Sequence, residues 1–198
     1  MPADRRDLRR RLFNVAAQQG GFFSAAQAKS VGYSYQAQAH HVAAGNWFRI
    51  DRGIFRVADW VPERDDDLSR WALWSKGRGV ISHDSALAAH MIGEFESPQV
   101  HLTVPRGFSS RDPAVRLHVA ELADEDVVQH SGYRVTTVLR SLVDVAAARA
   151  EEDQLARAIA EAIEGGHTTL LQLRTRSEEV DIRGALAIER AIGWLNLA

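Results

Sequence analysis

Between Ser30 and Val57 the chain reads "SVGYSYQAQAHHVAAGNWFRIDRGIFRV", a run that sets Gln36, Gln38, His40 and His41 close together and follows them with Arg49, Arg52 and Arg56. Groups of these types can ligate a metal, move protons or read the edges of bases. Adjacent residues on a helix point about 100° apart, so His40 and His41 do not converge on one ion. No carboxylate lies four residues from either, which removes the usual helical metal pair. Base reading fits better. A glutamine pairs bidentately with adenine, a histidine donates to guanine or to phosphate, and an alanine methyl touches thymine in the major groove. Arginines alternating along the following segment suit phosphates or an adjoining minor groove.

A second candidate is "SHDS", Ser82 to Ser85, which holds every residue type of a hydrolase triad. Triad groups must converge from separate parts of a fold, whereas consecutive residues at a strand-to-helix turn diverge, and no Gly-x-Ser-x-Gly elbow is present. A polar helix start is the simpler reading. His83 and His90, seven apart, can share a helical face, and His101 and His118 fall on strands, but no carboxylate pair at metal spacing accompanies them. "EGGH" and "GRG" lack the Lys-Ser/Thr ending of a phosphate loop. No catalytic residue, metal or cofactor is therefore assigned, and the expectation is a protein that is not an enzyme.

The elements that must position the first cluster follow from local signals. From Asp4 to Gln18, Leu8, Leu12, Phe13, Val15 and Ala16 recur at helical spacing, and Gly20 and Gly21 end the run. Ser24 with Gln27 forms a capping box for a short second helix that Gly32 closes. Ser34 caps a third helix over Tyr35 to Ala44, closed by Gly45. The period then changes to two: a strand Trp47 to Ile50, a turn around Asp51, Arg52 and Gly53, and a strand Ile54 to Val57. This order predicts a winged helix-turn-helix. A wheel of the third helix turns Tyr35, Ala39 and Val42 inward and Gln36, Ala37, His40, His41 and Ala44 outward, with Gln38 at the border. The residues of this segment expected to contact DNA are Ser34, Gln36, Gln38, His40, His41, Arg49, Arg52 and Arg56.

Charge divides in the same place. Residues 1 to 58 carry nine Lys+Arg against Asp4, Asp7 and Asp51, while the remaining 15 basic residues face 23 acidic ones. The imbalance points to a basic segment for a polyanion and an acidic remainder with another role. Cysteine is absent, so disulfides and thiolate chemistry are excluded. The charged start "MPADRRDLRRRLF" is unlike a signal peptide, and no apolar run approaches the roughly 20 residues of a bilayer span. A soluble protein of the cytoplasm is expected. The Pro-containing connector Asp59 to Glu63 suggests a domain of residues 1–58 and a second of 59–198. The second alternates short strands ("GVIS", "PQVHLTVP", "AVRLHVAEL", "YRVTTV") with helices gathered toward the C-terminus. The fold class is α+β.

Taken in order, "GNWFRIDRGIFRV", "VISHDSALAAH", "VHLTVP", "VRLHVAEL" and "GYRVTTVLRSLVDVA" resemble the AbiEi-type antitoxins, bacterial winged-helix transcriptional regulators paired with nucleotidyltransferase toxins in abortive-infection systems. The resemblance runs to about residue 165. It implies a winged helix that binds double-stranded DNA at repeats in its own promoter. It also implies a second domain that supports neutralisation of the toxin, directly or functionally, and self-association, with no catalysis by the antitoxin; a homodimer on DNA is expected, because paired half-sites multiply affinity. Carried onto this chain, the reading helix is Tyr35 to Ala44 and the wing Trp47 to Val57. Ala43 and Ala44 stand where the family often has basic residues, which shifts phosphate contact to Arg9, Arg10, Arg11 and the wing. Two other functions use the same winged helix: an enzyme targeted to nucleic acid, and a ligand-sensing regulator.

Overall fold

The computed structural model describes residues 4–148 and 151–195. In it the first helix, α1 (Arg5–Ala17), begins where the Asp4 carboxylate accepts the amide of Arg6. Beyond Gly20 and Gly21 comes a strand that the sequence reading did not predict, β1 (Phe22–Ser24). Three residues are too few to display a period; what makes them a strand is pairing, Phe22 opposite Arg56 and Ser24 opposite Ile54. Ser24 then caps α2 (Ala25–Val31) through the expected capping box with Gln27. Ser34 caps α3 (Tyr35–Ala43). The hairpin is β2 (Trp47–Asp51) and β3 (Ile54–Val57). Only Arg52 and Gly53 lie between the paired Asp51 and Ile54, and Gly53 takes φ +73° to close so short a turn. With β3 in the middle, the strands form an antiparallel sheet of order β1-β3-β2. Leu12, Ala16, Phe23, Ala28, Val31, Tyr33, Trp47 and Phe55 fill the core between sheet and helices. Each large side chain buried there contributes about 1.5–3 kcal/mol.

The chain divides into two compact units, one of residues up to Arg78 with His130–Tyr133, the other of Gly79–Gln129 with Arg134 onward. The first unit thus extends past Ala58, where charge and composition place the boundary. The cause is α4 (Asp66–Trp74). Asp66 accepts hydrogen bonds from the Arg56 guanidinium (2.9 Å), the Trp60 indole (2.8 Å) and the Glu63 amide (2.8 Å), and so fastens the connector and α4 to the wing.

The second unit carries a five-stranded sheet of order β6-β5-β4-β8-β7. Its strands are β4 (Val80–Ile81), β5 (Val100–Val104), β6 (Val115–Val119), β7 (Val127–Gln129) and β8 (Arg134–Thr136). β5 runs parallel to β6 and antiparallel to β4, and β4 runs parallel to β8. Around it lie α5 (His83–Ala89), α6 (Val138–Ala147), α7 (Glu152–Glu164), α8 (Leu170–Val180) and α9 (Ile182–Trp194). α6 is the pivot: Val138, Leu142, Val143, Val145 and Ala146 are all buried, in one cluster with Leu155, Ile159, Leu173, Ile188 and Ile192. The α+β class holds in both units, and no described helix is long and apolar enough to cross a membrane.

Candidate nucleic-acid interface

Helix α3 is nine residues long and weakly amphipathic, so its orientation is set by what its neighbours demand. Gln38 is 3% exposed, and its Nε2 donates to the carbonyls of Ala25 and Tyr33, each at 3.1 Å. Those bonds tie the first residue of α2 and the Tyr33 carbonyl of the α2–α3 turn to α3, and the Tyr33 bond is fully buried. The helix is therefore rotated relative to the wheel drawn from sequence. Ala37, Gln38 and Val42 face inward; Tyr35, at 63% exposure, and Ala39 face out. Tyr35 and Ala39 as core residues and Gln38 as a border contact are thus corrected. A wheel weighted by hydrophobicity cannot foresee a buried amide, and the apolar ring of Tyr35 is instead covered by the Lys29 ammonium, 5.1 Å from its centre.

His41 is half-buried. Its ring stacks on Trp47 (4.6 Å, 14° between planes), meets Tyr33 edge-on and lies 3.3 Å from the Asn46 amide nitrogen. Burial, then the neighbouring His40 and Arg9, hold its pKa below the ordinary value. It packs α3 against the wing, and with Arg9, Trp47 and Asp59 it lines a cleft of about 210 Å³. Ser34 spends its hydroxyl on the Ala37 amide as the helix cap. The outward face is then Tyr35, Gln36, Ala39, His40 and Ala43.

The three wing arginines do not act from one face. In the β2–β3 register Arg49 stands opposite Phe55 and Arg56 opposite Phe48, so they project to opposite sides of the sheet. Arg56 is only 19% exposed, lies over the Phe22 ring at 4.8 Å and pairs with Asp66. That corrects its place among the phosphate contacts: a cation with a buried carboxylate partner is an anchor of the fold. Arg49 and Arg52 are exposed and form no ion pair with any described residue. On α1, Arg10 pairs with Asp7 at 2.7 Å and Arg9 with Asp59 at 3.6 Å, the latter more than four-fifths exposed on both sides. Surface pairs of this kind hold by less than about 1 kcal/mol and exchange readily for phosphate.

In the second unit the structure assembles what the sequence left scattered. His83 at the start of α5, His101 on β5 and His118 on β6 bring one ring nitrogen each to within 4.8 Å of the others. The His83 and His118 rings stack at 3.5 Å. Burial first, and then the other imidazoles, push His83 down to about 2; burial, then His101 and Arg116, hold His118 at about 4, and burial lowers His101. All three are neutral at pH 7. The signal in the sequence was the shared spacing of "VHLTV" and "VRLHV": in the parallel register Thr103 lies beside His118 and His101 beside Arg116, so all four share one face. No spacing along the chain links them to His83. "SHDS" is no triad, since Ser82 is fully buried and Nδ1 of His83 faces both its hydroxyl (3.0 Å) and Asp144 (4.0 Å). A relay needs a different ring nitrogen for each partner.

Residues 10–58 match the family model described as "Transcriptional regulator, AbiEi antitoxin". The resemblance read from the sequence holds over these residues, which are those of the helix-turn-helix and wing. Among solved structures, the chain is similar to the crystal structure of the RV2827C protein from Mycobacterium tuberculosis, with a TM-score of 0.60 over 96% of this chain and 80% of that one at 11% identity. That likeness is one of fold. Comparison with curated proteins finds no match.

Proposed function

We propose that this chain, whose residues 10–58 match the AbiEi antitoxin regulators, is a DNA-binding autorepressor and antitoxin of a toxin-antitoxin operon. It acts in the cytoplasm on repeats in its own promoter, as a homodimer whose paired half-sites multiply affinity, and counteracts a nucleotidyltransferase toxin directly or functionally. The observation that carries the DNA reading is the outward face of α3. The side chains of Gln36 and His40 make no hydrogen bond to any described residue, and Tyr35 and Ala39 are exposed beside them. Beyond the Lys29 contact of Tyr35 and the edge contact of His40 with His41, these side chains are left to the surface, and they are the right types for a major groove. Arg52 at the wing tip and Arg49 on β2 are free to take phosphate, with Arg9 and Arg10 on α1 as further cations.

The test is binding of the full chain to the DNA upstream of its own gene and to random duplex of equal length, across a salt series. Preference for the upstream DNA, with affinity falling as salt rises, is the expected result. Equal affinity for both, or binding indifferent to salt, overturns the repressor reading. The antitoxin half is tested by sequencing the neighbouring gene and co-expressing its product: a nucleotidyltransferase whose toxicity this chain relieves supports the reading, and no such gene, or unrelieved toxicity, counts against it.

A further inference from the structure

We propose that His83, His101 and His118 form a binding site for one first-row divalent transition ion of the zinc class in the second unit. This goes beyond the DNA-binding reading and does not depend on it. Three kinds of observation carry it.

The first is unsatisfied lone pairs. Nδ1 of His101, on a side chain 4% exposed, and Nε2 of His118 are buried without a hydrogen-bond partner. Two bare acceptors or donors in one small space are costly. A cation placed between them would satisfy both. His83 supplies a third nitrogen by elimination, since its Nδ1 is turned to Ser82 and Nε2 is left for the cluster.

The second is the set of groups behind the rings. Ligating histidines ordinarily give their other ring nitrogen to a carboxylate or hydroxyl, which sets the tautomer and orients the ring. His101 has Nε2 3.2 Å from the Ser97 hydroxyl and 3.8 Å from the Asp84 carboxylate. His83 has Nδ1 by Ser82, whose oxygen in turn accepts from Thr103 at 2.8 Å. Both rings are therefore held with one nitrogen turned into the cluster.

The third is the donor chemistry and the access. Three imidazoles with a fourth position open is the zinc pattern of sites that keep an exchangeable ligand, and imidazole sets favour zinc, nickel, cobalt and copper over magnesium or calcium. His83 and His101 are buried and His118 half-buried, so the approach is from the His118 side. His83 also holds φ +53°, a left-handed backbone that a non-glycine residue adopts at some cost, at the point where its ring enters the cluster. Stacked rings direct their lone pairs side by side. Closing on one ion, where tetrahedral nitrogens lie about 3.3 Å apart, requires the less buried His118 to tilt out of the stack. The bound ion would tie the edge strand β6 to β5 and to the first turn of α5.

The experiment uses the full chain without a polyhistidine tag, stripped with chelator and freed of it. Titration with Co²⁺ is expected to give visible d–d absorption saturating at one equivalent, which Zn²⁺ then displaces, and zinc is expected to raise the thermal midpoint in a concentration-dependent way. His118→Ala, at the least buried ligand, should lower Co²⁺ affinity more than tenfold, the order of loss seen when such sites are disturbed. His118→Asn, closer in size and polarity, checks that any loss is of ligation and not of folding: it too should lose the spectrum while keeping the circular dichroism of the parent. No saturable one-equivalent spectrum overturns the site. So does undiminished binding by both folded variants, which would place the metal on other histidines such as His40, His41 or His167.

Discussion

Gln38 on α3 donates its side-chain amide to the carbonyl of Ala25 at the head of α2, 3.1 Å away. A residue that the sequence offers as a base reader is thereby a clamp of the helix-turn-helix. Gln38→Leu should destabilise the first unit by about 1–3 kcal/mol, because the buried Tyr33 carbonyl and the part-buried Ala25 carbonyl lose this donor. Gln36→Ala should leave stability unchanged and instead relax base preference by roughly 1–3 kcal/mol at one position of the operator. Urea denaturation and competition binding separate the two; a Gln38 variant of normal stability would refute the clamp.

The wing arginines should part company in the same manner. Arg52→Ala is expected to weaken binding to all sequences alike and to reduce the salt slope by about one, as loss of a single phosphate contact does. Arg56→Ala strands Asp66, which is 11% exposed and also holds Trp60 and Glu63. Its first effect is a lower unfolding midpoint. If Arg56→Ala altered the salt slope at full stability, the assignment of roles on the two sheet faces would be wrong.

In the second unit, Asp126 is the hub of a buried ionic network. It accepts from Arg140 at 3.0 Å and from two nitrogens of Arg176, at 3.1 and 2.7 Å. Arg140 is 7% exposed and continues to Asp144 at 2.8 Å. Asp126→Ala should cost about 3–5 kcal/mol, the usual penalty for breaking a buried ion pair by removing one partner. Glu125→Ala, removing a partner 76% exposed and 3.6 Å from Arg176, should cost less than about 1 kcal/mol. Chemical denaturation of both variants measures the contrast.

Acid should weaken the metal-free protein early. His83 and His118 are held at about 2 and about 4, against 6.5 for a free imidazole. As pH falls below about 6.5 the unfolded chain takes up protons that the folded one refuses, and stability is lost. Asp144 runs the other way: burial, outweighing Arg140, pushes it up to about 6, so between about 6 and 3.8 the folded state binds a proton first. Two imidazoles against one carboxyl leave a net loss from pH 6.5 toward 4. Unfolding midpoints across that window should fall, and His118→Asn should make the fall shallower. A flat profile in the parent would contradict the neutral cluster.

Much of the fold was legible because its signals are local. The capping box at Ser24, the Ser34 cap, the change of period at Trp47 and the turn at Arg52 and Gly53 each act within a few residues. Charge imbalance and the absence of cysteine likewise need no coordinates. The chain by itself therefore determined a winged helix-turn-helix followed by an α+β segment, and the residue types available to meet DNA. Which side chains are available only packing could decide. Gln38 turned inward to donate to the carbonyls of Ala25 at the head of α2 and Tyr33 in the α2–α3 turn, Arg56 because Asp66 lay on the far face of the sheet, and Tyr35 outward as a consequence of the same rotation. β1 arose from pairing with β3, and the histidine cluster from the parallel register of β5 and β6 meeting the start of α5. Each joins residues distant in the chain through a partner's hydrogen bonds or charge, and no periodicity along one segment records such a partner.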